Sequence, residues 1–179
     1  MKLDIQSDNR GLSSVRAPFD SELYVFAMPC PNLVYNWGRT LSTLIQVTKE
    51  LNDTYQNVFH MTIGEDIAQY GDRYPAVWVN SGKYFLIDSA VNGKINSGKT
   101  INYQLNQEYH IEIKQEENAN GEIIYRIVVD GTTVHEVVNT RPQRFEKVIL
   151  YTSNPWSMSF ASFGELKNLN IVNLDKFPA

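Results

Sequence analysis

Residues 108–138 read EYHIEIKQEENANGEIIYRIVVDGTTVHEVV. In the first run, Tyr109, Ile111 and Ile113 alternate with His110, Glu112 and Lys114. Successive side chains of an extended strand point to opposite faces, so this period of two marks a strand with one apolar and one wet face. Asn118-Ala119-Asn120-Gly121 closes a hairpin, and Glu122 to Asp130 returns with Ile123, Tyr125, Ile127 and Val129 on one face. Asp130-Gly131 is a second turn signal, and Thr132 to Val138 is a third strand. The stretch is an antiparallel meander.

The same reading extends in both directions. Val58 to Ile63 is apolar and β-rich, Ala76 to Val79 follows Pro75, which is a good strand start, and Tyr84 to Ile87 precedes the turn signal Asn92-Gly93. Toward the C-terminus, Phe145 to Thr152 places Val148 and Leu150 in register, and Leu166 to Leu174 alternates Leu169 and Ile171 against Asn168 and Asn170. In the first half, Leu23 to Met28 reads as a strand. Leu41 to Lys49 places Leu41, Thr43, Ile45 and Val47 on one face. A helix over Leu41 to Leu51 is the alternative there, but β-branched residues dominate. About ten to twelve short strands cannot stay as one open sheet, so the expected class is all-β, a two-sheet antiparallel sandwich. A closed barrel is the alternative. Without repeats, linkers or a long amphipathic helical pattern, residues 1–179 read as one domain, with 1–22 an irregular N-terminal segment.

With 179 residues, 42% hydrophobic and 20% charged, the chain can bury a real core and is not a disordered one. Its formal net charge of −4 and the lack of a basic stripe argue against nucleic acid as a partner and give no attraction to an anionic membrane. No apolar run approaches the roughly 20 residues that span a bilayer. Cys30, between Pro29 and Pro31, is the only cysteine, which excludes an internal disulfide and a cysteine-based zinc site. Met1 to Asp8 has no apolar core of a signal peptide. The expected location is therefore extracellular if a signal was removed, and cytoplasmic otherwise. Asn52-Asp53-Thr54 is an acceptor sequon.

Two groups of segments carry a resemblance. One is Phe59 to Gly64 followed by Tyr70-Gly71-Asp72-Arg73-Tyr74-Pro75-Ala76-Val77-Trp78. The other is Tyr109 to Gln115, Ile124 to Gly131, and Phe163 to Ile171. In this order (strand, arginine-proline turn, tryptophan strand, Asp-Gly hairpin, closing strand) they resemble the concanavalin A-like, laminin-G-type jelly rolls of animal extracellular proteins, marine invertebrates especially. The likeness runs over roughly residues 40 to 173. It implies a jelly roll, and a calcium ion at a loop rim as such domains often hold. One departure stands out: a further strand usually follows the Lys-Glu pair, whereas here Lys49-Glu50-Leu51 runs almost directly into Asn52. Either a sandwich strand is missing, which would expose apolar edges and favour self-association, or the strand at Thr43 to Lys49 fills its place.

The chemistry is searched on that frame. Glycoside hydrolysis needs two carboxylates facing across a sugar, seen on a strand as a run Glu-x-Asp-x-(x)-Glu, since alternate residues share a face. No such run exists, since the same-face neighbours of Glu112 are His110 and Lys114. None of His60, His110 and His135 sits in a nucleophile motif, and their spacing does not support zinc. Glu65, Asp66 and Asp72 put three acids in one loop, so Asp66 and Asp72 are the candidate calcium ligands, with a loop ion-paired through Arg73 as the alternative. Tyr70, Tyr74, Trp78, Tyr84 and Trp156 offer aromatic surfaces for stacking.

The expected protein is thus a non-catalytic binding module that contacts a glycan or a protein partner through rim loops. Trp156 and Tyr70 would stack, and Asp72, Arg73 and Asn154 would fix polar groups. Two other readings stay open: a self-assembling homo-oligomer joined through sandwich edges, and a carrier of a small apolar ligand such as a pigment.

Overall fold

The computed structural model describes residues 39–49, 55–143, 145, 148–151 and 164–173, together with four two-residue strands nearer the N-terminus. Those are β1 (Ser7–Asp8), β2 (Gly11–Leu12), β3 (Ala17–Pro18) and β4 (Met28–Pro29). There follow β5 (Arg39–Val47), β6 (Tyr55–Thr62), β7 (Ala76–Asn80), β8 (Tyr84–Val91), β9 (Lys94–Asn102), β10 (Glu108–Glu117), β11 (Ile123–Val129), β12 (Thr132–Val138), β13 (Ile149–Tyr151) and β14 (Gly164–Asn173). No helix occurs among the described residues.

The strands form two antiparallel sheets packed face to face, as the alternation requires. The first has the order β12-β11-β10-β5-β14-β3 and the second β4-β13-β6-β7-β8-β9, while β1 and β2 pair separately. The meander of residues 108–138 is β10-β11-β12, closed at its second turn by Asp130 and Gly131, both at positive φ as a tight hairpin demands. Asn92 and Gly93, also at positive φ, join β8 to β9.

Between the sheets, Leu41, Ile45, Ile111, Ile113, Tyr125, Ile127, Leu166, Leu169 and Ile171 meet Phe59, Met61, Val77, Val79, Phe85, Ile87 and Leu150 in one buried cluster. Each large apolar side chain removed from water here stabilises the fold by about 1.5–3 kcal/mol. Polar bridges cross the same core. The Tyr125 hydroxyl donates to Ser89 Oγ (2.9 Å), Gln115 Nε2 donates to the Tyr74 hydroxyl (2.9 Å), and Asn139 Nδ2 donates to Gln115 Oε1 (2.8 Å).

Three expectations are revised. β9 went unread because its exposure alternates without a strong apolar face: only Ile95 and Ile101 are apolar. The final strand does not alternate throughout. Leu166 and Leu169 share the core face three residues apart because a bulge, with Asn168 at φ 52, interrupts the pairing with β5. The expected irregular N-terminal segment contains β1, β2 and β3. Of the alternatives raised at Lys49-Glu50, the strand at Thr43 to Lys49 belongs, as far as Val47, to β5, which lies between β10 and β14 and is paired on both edges, while residues 50–54 lie outside the described residues. Most of the expected strand Leu23 to Met28 lies outside the described residues, which include only Met28 of it.

Candidate functional site

The outer face of the second sheet follows from register. Val77 and Val79 enter the core, so Trp78 points away from it. Pairing sets Asn57, Trp78, Leu86 and Thr100 in one row across β6, β7, β8 and β9. The flanking rows are Tyr55, Asn80, Tyr84 and Asn102 on one side, and His60, Ala76, Asp88 and Gly98 on the other. Polar and aromatic side chains from four strands thus converge on one face.

The loop between β6 and β7 rises beside this face and is built rigidly. Thr62 Oγ1 accepts from Gly64 N (2.9 Å) and donates to the Glu65 carbonyl (2.6 Å). Asp72 is fully buried. Its Oδ1 accepts from Glu65 N (3.2 Å) and its Oδ2 from Gln69 N (2.7 Å), so this carboxylate holds the loop closed. Gly71, at φ 107, sits where an added Cβ would lie 2.6 Å from the Phe145 ring, so glycine is required both by conformation and by space. Tyr70 lies against Phe145 (ring centroids 5.9 Å apart) and its hydroxyl donates to the Arg141 carbonyl (3.0 Å).

Arg73 leaves that loop and lies over Trp78, its guanidinium carbon 4.5 Å from the ring centroid. Nη2 donates to Asp66 Oδ1 (3.1 Å), Nε to the Asp66 carbonyl (3.3 Å), and Nη1 to Asp88 Oδ2 (3.0 Å) and Asn96 Oδ1 (3.3 Å). Burial raises the Asp88 carboxyl above the ordinary aspartate value, and the Arg73 charge partly opposes that. His60 also packs edge-on to the indole (5.8 Å), its Nδ1 3.8 Å from the same Asp66 Oδ1 that binds Arg73. His60 Nε2 lies 2.6 Å from the Asp72 carbonyl, which can only accept, so Nε2 carries a proton. Burial lowers the His60 pKa, with the Asp72 hydrogen bond opposing.

Two further features mark the face. The Asn57 side chain is fully buried beside Trp78, and neither its oxygen nor its nitrogen has a hydrogen-bond partner. Tyr55 and Tyr84 form an edge-to-face pair (6.3 Å) with their hydroxyls 2.9 Å apart. Exposure rises across the sheet, from buried Asn57 and Trp78 through half-exposed Leu86 and Tyr84 to exposed Asn96, Thr100 and Asn102.

The expected site residues therefore divide. Arg73 and Asp66 meet at this face, Asp72 and Tyr70 hold the loop that presents Arg73, and Asn154 and Trp156 lie outside the described residues. Reasoning from single strands missed Asp88, Asn57 and Asn96. A detectable signal for the first was Asp88-Ser89 interrupting the apolar run Phe85 to Val91. The acids do not fit a calcium ion: both Asp72 oxygens face N–H donors, and the position between Asp66 and Asp88 is taken by a guanidinium. Among the described residues no group of three metal-ligating side chains occurs.

The outer face of the first sheet brings Ser42 Oγ within 2.8 Å of His110 Nε2, with His110 Nδ1 3.8 Å from Glu112 Oε1. The last distance is beyond a hydrogen bond, and Glu112 is bound to Lys114 at 2.5 Å. Strand β5 is also paired on both edges, so its backbone offers no row of free N–H groups to stabilise an oxyanion.

No family model and no curated protein matches the chain. Solved structures do. The ligand-binding domain of botulinum neurotoxin serotype D, in complex with N-acetylneuraminic acid, aligns with a TM-score of 0.61 at 11% identity, over 96% of this chain and 42% of that one. Trypanosoma rangeli sialidase in complex with sialic acid gives 0.61 at 10% identity, over 95% of this chain and 27% of the sialidase. The heptameric SAP-like pentraxin of Limulus polyphemus gives 0.57 at 13% identity, over 93% of this chain and 77% of that one. The likeness is one of fold, the β-sandwich, shared by a toxin's ligand-binding domain, a pentraxin and a sialidase of which this chain spans about a quarter.

Proposed function

We propose that this chain is a non-catalytic, concanavalin A-like sandwich module that binds carbohydrate on the outer face of its second sheet, beside the loop that presents Arg73. The observation that carries the reading is the set of side chains on that face: a tyrosine pair, Tyr55 and Tyr84, next to exposed Asn96, Thr100 and Asn102, with the unpartnered amide of Asn57 behind. Aromatic rings beside amides and hydroxyls are what a sugar needs, since its C–H faces stack and its hydroxyls both donate and accept. The ligands held by two structural neighbours, both sialic acids, support a carbohydrate in general. The non-catalytic part rests on Asp66 and Asp88, which are both bound to Arg73 and not left free to act as acid and base.

The test is a glycan array followed by calorimetric titration of any glycan retained. Tyr84→Ala should weaken binding at least tenfold. An array without a hit would overturn the reading, and an unchanged affinity in the variant would overturn the placement.

A second reading, self-association, is favoured by one observation. β9 and β12 are edge strands of the two sheets with no further strand partner among the described residues, and the Lys99 charge, near enough to help lower the His135 pKa after burial, places them on the same side of the sandwich.

A further inference from the structure

Resting on the carbohydrate reading, we propose that the site selects neutral sugars and discriminates against acidic ones such as sialic and uronic acids. A carboxylate ligand would seek a cation. Arg73 is the cation held against Trp78, and it is already engaged on three sides: by Asp66 Oδ1 (3.1 Å) and the Asp66 carbonyl (3.3 Å), by Asp88 Oδ2 (3.0 Å), and by Asn96 Oδ1 (3.3 Å). An arriving carboxylate would have to displace one of these. Displacing Asp88, whose side chain is 3% exposed, would leave a buried charge without its partner. Displacing Asp66 would bring a third carboxylate toward a guanidinium that two already flank.

Local charge points the same way. Two carboxylates face one guanidinium in this cluster, an excess of one negative charge, and His60 behind it does not offset this because burial favours its neutral form. Lys94, exposed on the same face two residues from Asn96, is not among the ion-pair partners of Asp66 or Asp88. A neutral sugar meets no such barrier. Its hydroxyls can donate to the remaining lone pairs of the partly exposed Asp66 and exchange hydrogen bonds with Asn96 and Thr100. The neighbours of known fold that hold sialic acid would then share the scaffold with this chain and not the sugar class.

The experiment titrates the full chain with four probes at low ionic strength: methyl galactoside, methyl glucoside, glucuronic acid and N-acetylneuraminic acid. Binding is read by ligand-observed NMR. The expected result is binding of at least one neutral glycoside, with both acidic sugars at least tenfold weaker. Asp66→Asn, at a partly exposed position, should keep its melting temperature within a few degrees and narrow that gap by strengthening the acidic sugars. Acidic sugars bound as tightly as neutral ones would overturn the selectivity while leaving the carbohydrate reading in place. A neutral preference that Asp66→Asn does not narrow would overturn its electrostatic origin. Binding of none of the four, together with an empty glycan array, would overturn the underlying reading as well.

Discussion

Gly98 stands opposite Asp88 in the β8–β9 pair, and a methyl group on Gly98 would overlap the Asp88 carboxylate. That carboxylate is buried and bound to Arg73, so it cannot swing aside without breaking the ion pair over Trp78. Gly98→Ala should therefore destabilise the fold by about 1–3 kcal/mol, the usual cost of overpacking, although the residue lies on an exposed edge strand. Urea unfolding measures this, and a change within 0.5 kcal/mol, the ordinary surface value of roughly that size, would contradict it.

Asn57 tests whether the polar face is maintained for a ligand. A buried amide without partners costs about 1–3 kcal/mol, and Asn57 is such an amide. Asn57→Leu, which keeps the branched shape without the polar atoms, should raise stability by about 1 kcal/mol while weakening carbohydrate binding. Thermal melts and titrations of the same preparation check both. A clear loss of stability would show that the amide supports the fold.

His60 gives the fold a pH dependence of defined sign. Burial holds its folded pKa below the ordinary value, which is about 6.5. As pH falls through that ordinary value, the unfolded chain takes up a proton that the folded chain refuses, so stability falls, by up to about 1.4 kcal/mol per pH unit. The loss ends once folded His60 itself protonates. Asp88 acts oppositely at lower pH: its folded pKa is raised, so its contribution grows as pH falls through that value. Urea unfolding at pH 7.5, 6.5 and 5.5 should show the decline, and His60→Gln should flatten it. Equal slopes in both proteins would contradict the assignment.

Asp72 should act as a loop staple and not as a metal ligand. Asp72→Ala removes the acceptor of two backbone N–H groups, at a cost of about 1–3 kcal/mol. Amide exchange should accelerate at Glu65 and Gln69. Added calcium should leave the melting temperature of the unaltered protein unchanged, and a rise of several degrees would show that an ion binds.

The fold was legible where one face of a strand is apolar. Tyr109, Ile111 and Ile113 announce β10, and Leu41, Thr43, Ile45 and Val47 announce β5, because a half-buried strand writes its period directly into the chain. β9 was not legible, since Lys94 to Asn102 is polar on nearly every position and is a strand only because β8 pairs with it. The site was legible in part. Asp66 and Arg73 are seven residues apart in one loop and were read together. Asp88 reaches the same guanidinium from another strand, and Asn57 comes beside Trp78 only through the β6–β7 register. A search for acids two apart on one strand cannot see a pair assembled across strands.

The account turns on the outer face of the second sheet, and backbone amide shifts in a ¹⁵N spectrum, followed as a neutral glycoside is added, test that face directly. The largest changes should fall on Tyr84, Leu86, Asn96 and Thr100, with the Arg73 side-chain Nε resonance moving in step. Changes confined to β5, β10, β11 and β12, or a saturating ligand that moves none of these resonances, would contradict it.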